Sequence, residues 1–127
     1  MASSREQAIL VVEDESLLRT VAADMLEYAG FRVIEAPTAD DALELIERGE
    51  PISGLFTDIE MPGTLDGVAL AKITHERCPD AAILVVSGRR YPDGTDLPPG
   101  AVFLGKPYDF NQVIDTLHGM IDHPHLR

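Results

Sequence analysis

The chain has 127 residues, the size of one ordinary domain, and 45% of them are hydrophobic. A formal net charge of −12 argues against a nucleic-acid-binding protein and against binding to an anionic membrane surface. The one cysteine excludes an intrachain disulfide framework, and no apolar run approaches the roughly 20 residues of a membrane span. Because the N-terminus also lacks the apolar segment of a signal peptide, we expect a cytoplasmic protein.

The first half of the chain predicts two strands and two helices. Residues 8–12 are apolar on both faces, which is typical of a strand buried in a parallel sheet, and the run ends abruptly in acidic residues. Apolar residues at helical spacing then predict a helix over 17–29. A second, weaker strand is predicted over 31–36, and a second helix from the N-cap Thr38 to Gly49.

The second half continues this alternation. A third strand is predicted from Ile52 to Thr57, followed by a helix over 66–77 and a fourth strand over 81–86. The fifth strand is predicted over 101–104, and Asp109 caps a last helix with an apolar stripe. Five strands alternating with helices predict an α/β fold, a doubly wound parallel sheet with helices on both faces.

The segment 88–100 departs from the alternation because prolines and glycines interrupt any helical period there. We expect one short helical turn at most, so the fourth helix of the fold is short or missing. We interpret the whole chain, 1–127, as a single domain whose core spans about 7–122, with short polar tails.

Polar residues follow the predicted strands at their carboxyl ends. The first strand ends in Glu13 and Asp14, the third in Asp58, the fourth in Ser87, and Lys106 follows the fifth. In a parallel sheet these ends share one edge, which is where ligands bind. Taken singly, each would be a cap, a turn residue or a solvated side chain, but the complete set at one edge predicts a functional site.

The chemistry of this set points to phosphoryl transfer. Three neighbouring carboxylates repel one another and need a cation, and hard oxygen ligands favour Mg²⁺, with Mn²⁺ as an alternative. Lys106 supplies a fixed charge for a bound anion, Ser87 a hydroxyl donor, and Gly88 close backbone approach. Asp58 is the best candidate for a carboxylate nucleophile that forms an aspartyl phosphate.

These residues resemble the receiver domain of two-component response regulators. The matching motifs are the acidic pair after the first strand, the segment 58–63 followed by Asp-Gly, the Ser-Gly pair 87–88, and Lys106-Pro107. The resemblance covers about residues 7–122 and implies a flavodoxin-like sheet in the order 2-1-3-4-5.

The resemblance also implies roles for individual residues. Asp58 accepts a phosphoryl group, and Mg²⁺ binds Asp14, Asp58 and the backbone carbonyl of Glu60, with Glu13 acting through a water. Ser87 and Lys106 bind the phosphoryl oxygens. Further implied features are backbone N–H donors at Ile59 and Gly88, a cis Lys106–Pro107 bond, and a switch pair of Ser87 and Phe103.

The implied activity is a signalling switch, not an enzyme beyond its own phosphorylation and dephosphorylation. A histidine kinase or phosphotransfer protein donates the phosphoryl group, and the surface near strands four and five and the last helix then changes its protein contacts. The downstream target and the oligomeric state stay open. We expect a stand-alone receiver; a receiver excised from a hybrid kinase or regulator is the alternative, followed by a Mg²⁺-dependent aspartyl-phosphate phosphatase.

Three features depart from the common receiver pattern. Glu13 stands where the family more often has aspartate, and the loop 63–67 has one extra residue before its Asp-Gly pair. The third departure is the interrupted segment 88–100, which puts the usual output face in doubt. Arg89 and Arg90 follow the Ser-Gly pair and are either solvated or close to the proposed phosphate.

Overall fold

The elements follow the predicted alternation in the computed structural model, which describes residues 7–88 and 96–124. The strands and helices, in chain order, are β1 (Ala8–Val12), α1 (Ser16–Tyr28), β2 (Arg32–Ala36), α2 (Ala39–Glu47), β3 (Gly54–Asp58), α3 (Gly67–Arg77), β4 (Ala82–Ser87), β5 (Val102–Gly105) and α4 (Phe110–Asp122).

The five strands form one parallel sheet in the order β2-β1-β3-β4-β5, which confirms the predicted flavodoxin-like order. The strand β3 lies at the centre, between β1 and β4. In register, Asp58 at the end of β3 stands beside Val86, one residue before Ser87. The sheet order therefore carries the phosphoacceptor candidate to the middle of the edge where the other polar residues gather.

Helices cover both faces of the sheet, as predicted. Alternate strand residues such as Leu10 and Leu55 pack with α2 and α3 in one buried cluster. Their neighbours Ile9 and Phe56 face the other way and pack with α1 and α4 in a second cluster. The period of two along each strand explains why β1, β3 and β4 read as continuous apolar runs.

Element boundaries differ from the predictions by one or two residues. Phe31 precedes β2 instead of starting it, and its buried ring stacks on His118 at a centroid distance of 4.5 Å. The strand β3 starts at Gly54 and not at Ile52. The predicted caps Thr38 and Asp109 are confirmed, since each side chain accepts a backbone N–H of its helix.

The connection between β4 and β5 is described in part. Residue 88 and residues 96–101 are turns, bends and irregular chain without a helix, in agreement with the expected loss of the fourth helix. The expectation for residues 89–95, including Arg89 and Arg90, lies outside the described residues. Across the described parts of the chain, none of the helices has the length and apolar character needed to cross a membrane.

Candidate functional site

Asp58 is the last residue of the central strand and only 8% exposed. Its Oδ2 accepts a hydrogen bond from Lys106 Nζ at 2.5 Å, and its Oδ1 accepts the backbone N–H of Glu60 at 3.2 Å. A buried carboxylate at a strand end requires such partners, because desolvation penalises an unpaired charge. The ion pair joins two residues that are 48 positions apart in the sequence, as the sheet order predicts.

Lys106 directly follows β5, and its side chain reaches past β4 to Asp58 at the end of β3. Its backbone N–H donates to the carbonyl of Ser87 at 2.9 Å, which continues the β4–β5 ladder by one residue. The following Lys106–Pro107 peptide bond is cis, in agreement with the resemblance. The ammonium is thus anchored by backbone pairing and directed at the carboxylate.

Ser87 ends β4 and is fully buried. Its Oγ donates to the carboxylate of Glu60, at 2.6 Å from Oε1 and 2.7 Å from Oε2. The resemblance assigned Glu60 only through its backbone carbonyl, so sequence reasoning missed its side chain. The acidic residue two positions after the phosphoacceptor was the available signal, but its side-chain direction depends on the tertiary structure.

A cavity of about 190 Å³ lies over this group and is lined by Asp58, Glu60, Gly88 and Lys106. A Cβ atom at Gly88 would stand 3.4 Å from the Cβ of Lys106, so Gly88 lies directly against the Lys106 side chain. That the Gly88 N–H approaches a bound anion stays a prediction.

The backbone N–H of Ile59, which the resemblance expects to bind a phosphoryl oxygen, is hydrogen-bonded within the sheet in this structure, so its phosphoryl contact stays a prediction. That N–H donates to the Val86 carbonyl at 2.9 Å, continuing the β3–β4 ladder beyond Asp58. The next N–H, from Glu60, faces the Asp58 carboxylate instead. Strand pairing therefore extends one residue beyond Asp58.

Electrostatics at the site reflect crowded carboxylates and one ammonium. Burial raises the pKa of Asp58, the Lys106 hydrogen bond and charge oppose this, and the Glu60 charge adds to the rise. Burial also raises the pKa of Glu13, and the nearby Asp58 charge raises it further. Burial lowers the pKa of Lys106, but its hydrogen bond with Asp58 and the charges of Asp58 and Glu13 bring it above its ordinary value.

The predicted metal ligands lie at the same edge of the sheet, but their side chains do not converge on one coordination site. Glu13 is nearly buried and its Oε2 accepts the Glu15 N–H at 3.0 Å, whereas Asp14 is exposed. Within 7–88 and 96–124, no group of three or more acidic, histidine or cysteine side chains is arranged to hold a metal ion. The donors nevertheless suit a hard divalent cation, because they are carboxylate oxygens. Burial is the main cause that raises the pKa of Glu13 and of Asp58, and the charge of a neighbouring carboxylate adds to each rise.

The loop with the extra residue is anchored outside the site. Thr64 donates from its hydroxyl to Asp40 Oδ1 at 2.7 Å and from its backbone N–H to Asp40 Oδ2 at 3.2 Å. Gly63 precedes it with a φ of +103°, a conformation that favours glycine. Sequence reasoning assigned Asp40 no such role, because the contact joins residues 24 positions apart.

Phe103 lies on β5 beside Val85 and packs, partly buried, against the cluster under α2 and α3. This position agrees with core packing and equally with the switch role that the resemblance implies.

Comparison with known proteins identifies the family. Residues 9–118 match the model described as the response regulator receiver domain. The chain is 33% identical to the response regulator receiver protein CpdR of Brucella abortus, over 89% of this chain and 95% of that protein. It is 31% identical to the sensor kinase CckA of the same organism, over 94% of this chain but 13% of the kinase.

A crystal structure of a response regulator receiver protein from Sinorhizobium medicae superposes with a TM-score of 0.87 at 27% identity, covering 91% of this chain and 94% of that one. The family match spans most of the chain; it starts one residue into β1 and includes the other four strands and the site at the carboxyl ends of the strands. The chain therefore belongs to the response regulator receiver domain family, whose members are signalling switches of two-component systems.

Proposed function

We propose that Asp58 accepts a phosphoryl group from a phosphohistidine donor and that this phosphorylation switches the protein's contacts. The observation that carries the proposal is the partly buried Asp58–Lys106 ion pair beneath the cavity. A nucleophile, a fixed positive charge and a space for the incoming group meet at one point there.

In the proposed step, a carboxylate oxygen of Asp58 attacks phosphorus and forms an O–P bond while the donor's N–P bond breaks. The electron pair of the broken bond stays on the imidazole nitrogen, and the product is an aspartyl phosphate. Lys106 is released from the carboxylate to the phosphoryl oxygens, which carry the negative charge of the transferred group. The Glu60 N–H holds the carboxylate in the direction of attack.

Mg²⁺ is the proposed cofactor, with Mn²⁺ as a substitute, held by Asp14, Asp58 and the Glu60 carbonyl, with Glu13 through a water. When bound, the ion supplies a positive charge that offsets the carboxylates and the phosphoryl oxygens. Glu13 supports this assignment because its carboxylate is nearly buried. Burial raises the pKa of Glu13, and the charge of the nearby Asp58 raises it further.

The proposed donor is a sensor histidine kinase or a histidine phosphotransfer protein. The similarity to the sensor kinase CckA supports a partner of this class. Exposed apolar side chains at the start of α1 offer a docking surface beside the acidic loop, since Leu17 is 74% exposed and Leu18 45%. We place the protein in the cytoplasm as one receiver domain with its core over about 7–122, acting on a downstream protein target.

The proposed output is a rearrangement near β4, β5 and α4. A phosphoryl group that takes the Ser87 hydroxyl draws the end of β4 toward Asp58, and Phe103 on the adjacent strand turns inward. The position of Phe103 supports this role because the ring contacts the core cluster without being fully buried.

The test is phosphorylation by acetyl phosphate with and without Mg²⁺, followed by intact mass. The wild-type chain should gain one phosphoryl group only with Mg²⁺, and hydroxylamine should remove it, as it does from an acyl phosphate. Asp58→Asn should gain none, while the control Asp24→Asn, which changes an exposed aspartate of α1, should behave as the wild type. An adduct that survives in Asp58→Asn contradicts the proposal, and sustained turnover of phosphate esters favours the phosphatase alternative.

A further inference from the structure

The buried Ser87 hydroxyl is held by a carboxylate other than that of the phosphoacceptor. Ser87 is fully buried, and its Oγ lies 2.6 Å and 2.7 Å from the two carboxylate oxygens of Glu60. The Glu60 side chain also lines the cavity over Asp58. A negatively charged group therefore already occupies the position next to the donor that an incoming phosphoryl group needs.

One hydroxyl carries one proton to donate. While Ser87 donates to Glu60, it cannot donate to a phosphoryl oxygen on Asp58, so the two anionic acceptors compete for the same hydrogen. Hydrogen bonds to a carboxylate are about twice as strong as those between neutral groups, which makes Glu60 an effective competitor.

Resting on the proposed function, we infer that Glu60 is a positioning residue that holds Ser87 away from the phosphoacceptor until phosphorylation displaces it. The Glu60–Ser87 hydrogen bond thus opposes both phosphoryl acceptance and the movement of the β4 end. The receiver is restrained by its own carboxylate in the unphosphorylated state.

The same carboxylate has a second effect that needs to be separated from the first. Its negative charge near Asp58 repels an incoming anion, whether or not it binds Ser87, and it contributes to the raised pKa of Asp58. Neutralising Glu60 removes both effects together. A double-mutant cycle with Ser87 distinguishes them, because only the restraint requires the hydroxyl.

The experiment measures initial phosphorylation rates with acetyl phosphate at saturating Mg²⁺ in four proteins: wild type, Glu60→Gln, Ser87→Ala and the double variant. Glu60→Gln keeps the size of the side chain and should accelerate the reaction about fivefold, because a charge-assisted hydrogen bond becomes a neutral one. In the Ser87→Ala background the same change should accelerate it less than about twofold, which measures the charge effect alone. Glu44→Gln, which changes an exposed glutamate of α2, controls for net charge and should leave the rate unchanged.

A second measurement does not depend on the reactivity of Ser87→Ala. Amide NMR shifts of Ser87 and Gly88 in unphosphorylated Glu60→Gln should move from the wild-type positions toward those of the phosphorylated wild type. If Glu60 has only a structural role, the Ser87 and Gly88 amide shifts should not move toward those of the phosphorylated wild type.

The outcomes separate this inference from the proposed function. If the wild type gains no phosphoryl group, the proposed function fails and the restraint fails with it. If the wild type is phosphorylated but Glu60→Gln accelerates the reaction equally with and without the Ser87 hydroxyl, only the restraint is overturned. Unchanged Ser87 and Gly88 shifts in Glu60→Gln also overturn it.

Discussion

The two loops that bring acidic residues to the site differ in how firmly they are held. The first, residues 13–15 after β1, is held by Glu13, whose carbonyl accepts from Arg19 at 2.8 Å and whose Oε2 accepts the Glu15 N–H at 3.0 Å. Asp14 and Glu15 are exposed, and α1 begins without a side-chain cap. The second, residues 59–66 after β3, is fastened at several points between Asp58 and α3.

The second loop is held by hydrogen bonds, the first of which lies next to Asp58. The Gly67 N–H donates to the Ile59 carbonyl at 2.9 Å, and Asp66 caps α3 by accepting the Ala69 N–H at 2.9 Å. Thr64 is tied to Asp40 of α2 as well. Asp58 therefore sits in a frame held by many hydrogen bonds, whereas Asp14 of the first loop is exposed to solvent at the sheet edge.

The largest expected effect comes from Gly67, where α3 meets the phosphoacceptor backbone. A Cβ there would stand 2.1 Å from the Asp58 carbonyl oxygen and 2.8 Å from the Ile59 Cα, so backbone has to move. Gly67→Ala should lower the free energy of unfolding by about 3 kcal/mol, measured by urea denaturation. Gly119→Ala is the matched control, because no atom lies within 4 Å of its Cβ in α4 and it should stabilise by about 0.5–1 kcal/mol. Equal effects of the two changes would contradict the fixed frame.

The next effect concerns Mg²⁺ affinity and the first loop. Asp14→Asn should weaken Mg²⁺ binding on the order of tenfold or more, since losing even an outer partner of a ligand costs this much. Calorimetric titration measures it. Because Asp14 is exposed, stability without metal should change by less than about 0.5 kcal/mol. Unchanged Mg²⁺ affinity in the variant removes Asp14 from the ligand set.

A smaller effect is expected at the cap of α3. Asp66→Ala should cost about 1 kcal/mol of stability, as loss of a helix N-cap does, and should also slow phosphorylation because the cap ends the loop beside Asp58. Thr38→Ala removes the cap of α2 and should cost a similar amount without slowing phosphorylation. Equal phosphorylation rates in both variants would show that the cap stabilises the helix alone.

The smallest effect is a gain at the uncapped start of α1. Glu15 occupies the N-cap position in an extended conformation but makes no side-chain cap hydrogen bond. Glu15→Ser should raise the free energy of unfolding by about 0.5 kcal/mol, seen as a higher urea midpoint. If Glu15→Ser is more stable but binds Mg²⁺ more weakly, the uncapped first loop favours Mg²⁺ binding at the expense of stability. An unchanged free energy of unfolding would show that a serine at this position does not cap α1.

Local chemistry determined most of this fold. Apolar runs on both faces marked the strands, Thr38 and Asp109 marked helix starts, and the residues after each strand marked the site edge. The family motifs then assigned Asp58 and Lys106, whose contact the sheet order produces. These features can be predicted from the sequence because each depends on residues a few positions apart, or on a strand order that right-handed crossovers restrict.

The finer hydrogen-bonding arrangement of the site depends on long-range packing. The Glu60 side chain meets Ser87 across 27 positions and Asp40 meets Thr64 across 24, so no local pattern specifies either contact. The Ile59 N–H is taken by Val86 because the strands pair one residue beyond the expected end. Local sequence patterns specify which groups reach the sheet edge. Packing and strand register specify which acceptor binds each donor, because a hydrogen bond depends on distances of a few tenths of an ångström.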